Sequence, residues 1–349
     1  MDNTELLINK DASLIEALEK LNLVENYINL TLFVQDQKKK IIGTLTDGDI
    51  RRSLVIDKNF ELKIEKVCNK NFKYIIDNYD YQDLESFRAK NIKLLPVLNK
   101  NKTLKEVLDL DKVKAILPLE CVIMAGGRGK RLSPITDKVP KPMLPLGNKP
   151  IIEHNIDRII SFGIKRIYIS VKYLGDQIKS YLGDGSSKGI KIEYINEDKP
   201  LGTAGSLSLV NKFNKEHILL INSDLFTNVD FNKMYKSLLS NDADMVVAST
   251  EYKVDIPYAV FNDKSNNQVL GFKEKPSFSY YSNAGIYVFN KKWISSIPKN
   301  TFFDITDLMD LILTKNKKIV HEPILGYWVD IGSPDDYENA QELIKHFDE

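Results

Sequence analysis

One junction constrains this chain more than any other. An apolar run from Leu119 to Met124 passes into MAGGRGKRLSPITDKVPKPM at 124–143. The run reads as a buried strand. Gly126, Gly127 and Gly129 directly after it let backbone N–H groups approach phosphate oxygens or a flat base, where side chains would stand in the way. Arg131 adds a forked donor suited to phosphate. Lys141 adds a compact charge on a loop stiffened by Pro140 and Pro142. A Gly-rich turn alone is often only a turn, but this string is longer. It lacks the Gly-Lys-Ser/Thr ending of a Walker loop and the glycine spacing of a dinucleotide fingerprint.

From 151 onward, strand-length apolar runs alternate with amphipathic helical stretches, as a mostly parallel sheet covered by helices requires. IIEHNIDRIISF at 151–162 reads as helix; RIYISV at 166–171, KIEYI at 191–195 and HILLINSD at 217–224 read as strands. Ligands gather at the carboxyl ends of such strands. Asp224 therefore stands where a carboxylate can hold Mg²⁺ against phosphate oxygens, although its spacing suits a helix N-cap equally. Asp330, in YWVDIGSPDDYENA at 327–340, is a second carboxylate closing an apolar segment, with Pro334 as a helix opener.

The chain has 349 residues and a formal net charge of +1. That length exceeds one typical domain, and the balanced charge offers no basic field for nucleic acid. No apolar run reaches the ~20 residues of a membrane helix, and the polar start MDNTELLINKDAS lacks a signal-peptide core, so a cytoplasmic enzyme is expected. Cys68 and Cys121 are too few for a disulfide scaffold and suit a reduced compartment. His154, His217, His321 and His346 show no ligand spacing and read as structural.

GxGxRL followed by PKPM resembles the signature of the sugar-1-phosphate nucleotidyltransferases, and the resemblance extends over 119–349. It implies an α/β fold: a Rossmann-like, three-layer, GT-A-like domain with a mostly parallel mixed sheet. It also implies roles for particular residues. Arg131 meets the triphosphate, Lys141 and Lys275 the reacting phosphates, and Asp224 and Asp330 hold the catalytic Mg²⁺. Glu274, in FKEKP at 272–276, accepts from sugar hydroxyls, and Asn283, in SNAGIYVF at 282–289, lies nearby. In NEDKPLGTAGSL at 196–207, Gly202 would let backbone pack against a planar ring, and Glu197 stands where thymidylyl and uridylyl relatives carry glutamine. A carboxylate only accepts hydrogen bonds, which suits the adjacent N1–H and N2–H donors of guanine. A solvated loop charge is the plainer reading of Glu197, since Asp198 and Lys199 follow it.

Residues 1–116 carry a weak internal repeat at a spacing of about 62 residues. It aligns Leu32-Phe33 with Leu94-Leu95 and IIGTLTDGDI at 41–50 with TLKEVLDLDK at 103–112. Each half reads as a helix, short strands and another helix, with a capping-box spacing from Ser13 to Glu16. The pair resembles two CBS motifs, 1–57 and 62–116, forming an α+β Bateman module ahead of the 119–349 domain. The resemblance implies a regulatory nucleotide at Gly43, Thr46 and Asp49, the family's G-x-x-T-x-x-D. In the second half Lys105 and Leu108 replace the first two while Asp111 remains, so at most one site fits. The other reading is that Asp49 merely caps a helix and the module serves self-association.

The implied reaction is attack of a sugar 1-phosphate on the α-phosphorus of a nucleoside triphosphate, GTP by the Glu197 argument, with release of pyrophosphate. With its fused CBS pair the chain resembles the glucosamine-1-phosphate guanylyltransferases of bacterial legionaminic acid pathways. Mannose- or heptose-1-phosphate guanylyl transfer, and thymidylyl or uridylyl transfer, are the alternatives within that class. A non-catalytic nucleotide-sugar sensor is the alternative outside it, disfavoured because Arg131, Lys141, Asp224 and Asp330 are all present. A homo-oligomer is compatible with everything above.

Overall fold

A computed structural model describes residues 3–23, 31–77, 81–263 and 266–346. The chain divides into two units, Met1–Ile116 and Leu117–Glu349.

The first unit runs β1 (Leu7–Asn9), α1 (Leu14–Leu23), β2 (Thr31–Gln35), β3 (Ile41–Thr46), α2 (Asp47–Asp57), β4 (Ile75–Ile76), β5 (Gln82–Asp83), α3 (Glu85–Arg88), β6 (Leu94–Leu98), β7 (Leu104–Asp109) and β8 (Ala115–Ile116). α1 begins at the expected capping box: Ser13 N–H donates to Glu16 at 2.6 Å and Glu16 N–H to Ser13 Oγ at 3.3 Å. The repeat is visible in the sheets. β2 pairs with β1 in parallel and with β3 antiparallel, and β6 pairs with β4 and β7 in the same way. Both antiparallel ladders bulge at equivalent places, between Val34 and Gln35 and between Val97 and Leu98.

Those registers correct the alignment by one residue. Val34 pairs with Gly43 and Val97 with Glu106, so Glu106, Asp109 and Lys112 occupy the places of Gly43, Thr46 and Asp49. Asp111 is not the counterpart of Asp49. A one-residue slip turns every side chain to the other face, and in the true register Leu32 and Val34 join the core of one half as Leu95 and Val97 join that of the other. The second half also departs from the expected helix–strands–helix order, since α3 has four residues and no helix follows β7. In the first half Thr46 and Asp49 form a capping box that launches α2. In the second, Asp109 accepts from Asp111 N–H at 3.0 Å, a local turn that ends the strand without nucleating a helix. Residues 62–69, which the repeat assigns to the second half, contribute Ile64 and Cys68 to the first half's core.

The second unit runs β9 (Leu119–Ala125), β10 (Pro145–Leu146), β11 (Lys149–Pro150), α4 (Ile151–Ser161), β12 (Arg166–Val171), α5 (Gly175–Leu182), β13 (Lys191–Asn196), β14 (His217–Asn222), β15 (Leu225–Thr227), α6 (Phe231–Ser240), β16 (Met245–Asp255), β17 (Val260–Asp263), β18 (Val269–Lys273), β19 (Ser277–Asn290), α7 (Ile305–Thr314), β20 (Ile319–Pro323), β21 (Trp328–Asp330) and α8 (Pro334–Lys345). Seven strands form one sheet in the order β13-β12-β9-β14-β19-β16-β20. β19 alone runs against its neighbours, so the sheet is mixed and mostly parallel.

Its strands are apolar on both sides because both faces are covered. Val122, Leu220, Val247 and Phe289 pack on Ile305, Leu308 and Ile312 of α7, while the alternate residues Cys121, Ile123, Ile169 and Leu219 are buried as well. The carboxyl ends of β9, β12, β13 and β14 therefore open together along one rim. β14 ends at Asn222, so Asp224 lies in the turn into β15 rather than on the strand itself. Beyond Ser249 the β16–β19 pair leaves the sheet as a two-stranded ladder reaching Asp255 and Ser277, with the β17–β18 hairpin between them. Among the described residues, no helix is long and apolar enough to cross a membrane.

Candidate active site

Two adjoining cavities open at the rim where β9, β12 and β14 end. One, of about 300 Å³, is lined by Gly127, Gly129, Arg131, Lys141, Ser223 and Asp224. The other, of about 550 Å³, is lined by Gly126, Lys172, Tyr173, Glu197, Gly202 and Phe302, and shares Gly127 and Asp224 with the first. A larger cavity of about 640 Å³ lies along β13, but its Arg166 and Glu193 neutralise one another and it brings no reactive group to the rim.

The glycine turn is fixed from behind by Thr136, whose hydroxyl donates to Gly129 O at 2.8 Å. Lys141 is 8% exposed, and its Nζ lies 2.5 Å from Asp224 Oδ2 and 3.9 Å from Asp330 Oδ1. β15 and β21 pair Leu225 with Asp330, and this two-stranded ladder brings the two carboxylates together across the chain. Arg131 lies against Gly332, just after Asp330. Four ionic groups scattered over 131–330 thus converge on one point.

Two observations show what this point can hold. Asp224 Oδ1 is buried without a hydrogen-bond partner, which an oxygen in a folded interior tolerates poorly. The Asp330 carboxyl is pushed above its ordinary range by burial first and then by the negative charge of Asp224, with Lys141 and Arg131 offsetting part of this. An unfilled acceptor and two carboxylates under mutual repulsion suit a divalent cation, and Mg²⁺ often takes only one or two carboxylates alongside phosphates and water.

In the wider cavity Glu197 is 9% exposed, with one donor on each carboxylate oxygen. Ser170 Oγ donates to Oε1 at 2.5 Å, and Leu201 N–H donates to Oε2 at 3.1 Å. It is not a solvated loop charge. The loop after it is tied to the start of α7: Phe303 N–H donates to Leu201 O at 2.9 Å, Gly205 N–H to Phe303 O at 2.9 Å, and Thr203 N–H to Asp304 at 2.9 Å. Gly202 has φ +75°, and a Cβ there would stand 2.7 Å from Phe303 O. Left-handed backbone and this close approach require a glycine here, and it lines the cavity beside Glu197.

The sugar-side residues are not gathered here. Glu274 and Lys275 lie exposed between β18 and β19, Lys275 at φ +44°, and Asn283 is exposed on β19 with its Oδ1 accepting from Gly285 N–H at 2.9 Å. All three lie outside the lining of the two cavities. Sequence reasoning missed Ser170 and Lys172, whose Nζ donates to Asp198 O at 2.6 Å. A serine or lysine at the end of an apolar strand carries no periodic signal.

In the first unit, Asp49 Oδ2 accepts from Thr46 N–H at 2.9 Å and from its hydroxyl at 2.7 Å, while Arg52 holds Oδ1. That is the helix-capping reading. Gly43 is required because a Cβ would meet Cys68 Sγ at 2.8 Å. A cavity of about 520 Å³ nearby is lined by Thr44, Thr46, Lys73, Lys90 and Lys93, without Gly43 or Asp49. Of the three residues expected there, Thr46 lines this cavity.

With this geometry established, the comparisons decide the family. The Nucleotidyl transferase family model matches residues 120–346. The chain belongs to that family. It is a nucleotidyltransferase, with the family's α/β fold. It is 33% identical over 236 residues to the D-glycero-alpha-D-manno-heptose 1-phosphate guanylyltransferase of Aneurinibacillus thermoaerophilus, covering 66% of this chain and 100% of the relative. It is 30% identical to the mannose-1-phosphate guanylyltransferase of Mycobacterium tuberculosis, covering 63% of this chain and 62% of that one. Among solved structures, HddC from Yersinia pseudotuberculosis complexed with GMP-PN matches with a TM-score of 0.50 at 27% identity, over 65% of this chain and 99% of that chain.

Proposed function

We propose that this nucleotidyltransferase transfers GMP from GTP to a sugar 1-phosphate, releasing pyrophosphate. The observation that carries the reading is the pair of cavities meeting at Asp224, one lined by Lys130, Arg131 and Lys141 around that carboxylate, the other by Glu197. In this assignment the triphosphate lies over Gly126, Gly127 and Gly129, with Arg131 on its phosphates and the base beside Glu197 and Gly202. Lys141 neutralises charge where the two phosphates meet, and its existing contact with Asp224 sets its position. The nucleophile is a phosphate oxygen, already anionic, so the protein need only orient two repelling groups and stabilise the charge that develops. Asp224 and Asp330 would hold Mg²⁺, which when bound supplies charge neutralisation at the reacting phosphates. Glu274, Lys275 and Asn283 are assigned to the sugar phosphate. For Glu274 and Lys275 this requires the two-stranded arm to move inward, a motion that a ladder of two strands permits.

Glucosamine 1-phosphate is the sugar phosphate proposed, from the likeness in domain arrangement to the legionaminic acid guanylyltransferases. The second reading is a heptose or mannose 1-phosphate, favoured by the 33% identity over the whole length of the heptose relative. We further assign the first unit as a tandem CBS module binding one regulatory nucleotide in the cavity of Thr46, Lys73, Lys90 and Lys93. A pyrophosphate-release screen of GTP, UTP, dTTP and CTP against glucosamine, mannose and heptose 1-phosphates tests the proposal. GTP with glucosamine 1-phosphate is expected to turn over fastest; equal or better turnover with another triphosphate removes the guanylyl assignment.

A further inference from the structure

Ser170 is fully buried on β12, opposite Met124 of β9, in a strand that after Arg166 is otherwise made of Ile167, Tyr168, Ile169 and Val171. A hydroxyl in such a strand must find an acceptor, and this one donates to Glu197 Oε1 at 2.5 Å. Leu201 N–H holds the other oxygen at 3.1 Å. A Cβ on Gly126 would lie 3.0 Å from Oε1, so this oxygen borders the glycine turn that lines the wider cavity. Lys172 holds the following carbonyl, of Asp198, at 2.6 Å.

We propose that Ser170 is a positioning residue that sets the base preference of the enzyme, acting through Glu197. The inference rests on the proposal that Glu197 reads the base. Two donors, one on each oxygen, fix the carboxylate plane and leave only acceptor lone pairs for a base. A glutamine at 197 would be equally constrained. Leu201 N–H demands an oxygen, so the amide nitrogen must take the place of Oε1, with the Ser170 hydroxyl turned to accept from it. The same serine thus presents an acceptor edge with glutamate and an N–H with glutamine.

The experiment measures kcat and KM of the full-length protein for GTP and UTP by pyrophosphate release, with the sugar 1-phosphate that wild type turns over best. Ser170→Ala is expected to raise the KM for GTP about tenfold, with kcat carrying little of the loss, and to lower the GTP/UTP ratio of kcat/KM by about tenfold. Ser170→Thr, or Ser170→Cys should threonine not fit, should restore part of the ratio. A folded Ser170→Ala variant whose ratio is unchanged, or which loses both triphosphates equally, overturns the proposal. Glu197→Gln separates the two levels. If it leaves the ratio unchanged, the base-reading assignment itself fails. If it shifts the ratio and Ser170→Ala does not, only the role of Ser170 fails.

Discussion

At the scale of single residues, the site is held by one lysine between two carboxylates. Lys141 is paired with Asp224 at 2.5 Å, yet Asp224 keeps a second, unpartnered oxygen. Replacing Asp224 or Asp330 by asparagine removes half of the charge available for a cation. Each variant is expected to lower kcat by about 10²-fold or more with a smaller effect on KM, because the interaction is needed most in the transition state. Steady-state assays on folded protein measure this; near-normal kcat in both variants would remove the pair from the chemistry. Arg131, Lys141, Asp224 and Asp330 were legible in the sequence because each sits in a short string that mixes charge with glycine or proline. Ser170 was not, because one hydroxyl in an apolar strand looks like any buried serine until its partner, 27 positions away, is in place.

At the scale of elements, the strands β9, β12, β13 and β14 were readable as continuous apolar runs. The lone antiparallel strand β19 and the arm it forms with β16 were not, since Tyr252 and Tyr280 are exposed on that arm and Phe261 and Phe272 on the adjoining β17–β18 hairpin, which no burial pattern announces. The repeat of the first unit was readable, but its register was off by one, because weak similarity does not resolve a slip that only cross-strand pairing and burial decide. Asp49 itself closes the capping box with Thr46 that starts α2. Asp49→Ala removes the N3 partner of that box and is therefore expected to cost about 0.3–1.5 kcal/mol of stability in the first unit. It should leave nucleotide binding in the nearby cavity largely intact, whereas Lys93→Ala weakens it. Denaturant unfolding and calorimetry with AMP, ATP and GTP on the full chain measure both; abolished binding with unchanged stability in Asp49→Ala would return the aspartate to the ligand site. Gly202→Ala forces a side chain into left-handed backbone 2.7 Å from Phe303 O. A loss of about 1–3 kcal/mol is expected, read as a lower denaturant midpoint.

At the scale of the whole molecule, the Asp330 carboxyl couples stability to pH. The Asp330 carboxyl is pushed upward in the fold by burial and by Asp224, so the folded state holds its proton more tightly than the unfolded chain. Its contribution to stability is therefore present at low pH and is lost as pH rises through the raised value. In the proposed site Mg²⁺ would be held by the ionised pair, so the rise in melting temperature on adding Mg²⁺ should be larger at neutral than at acid pH, and smaller in Asp330→Asn. An equal rise at both pH values would place the cation elsewhere. The proposed chemistry is guanylyl transfer at the Asp224 rim. The most direct measurement is pyrophosphate release by the purified chain from GTP, with and without a sugar 1-phosphate and Mg²⁺. Release that requires all three and exceeds that from UTP, dTTP and CTP is the expected result. A chain that binds GTP and sugar phosphate in Mg²⁺ yet releases no pyrophosphate would contradict it.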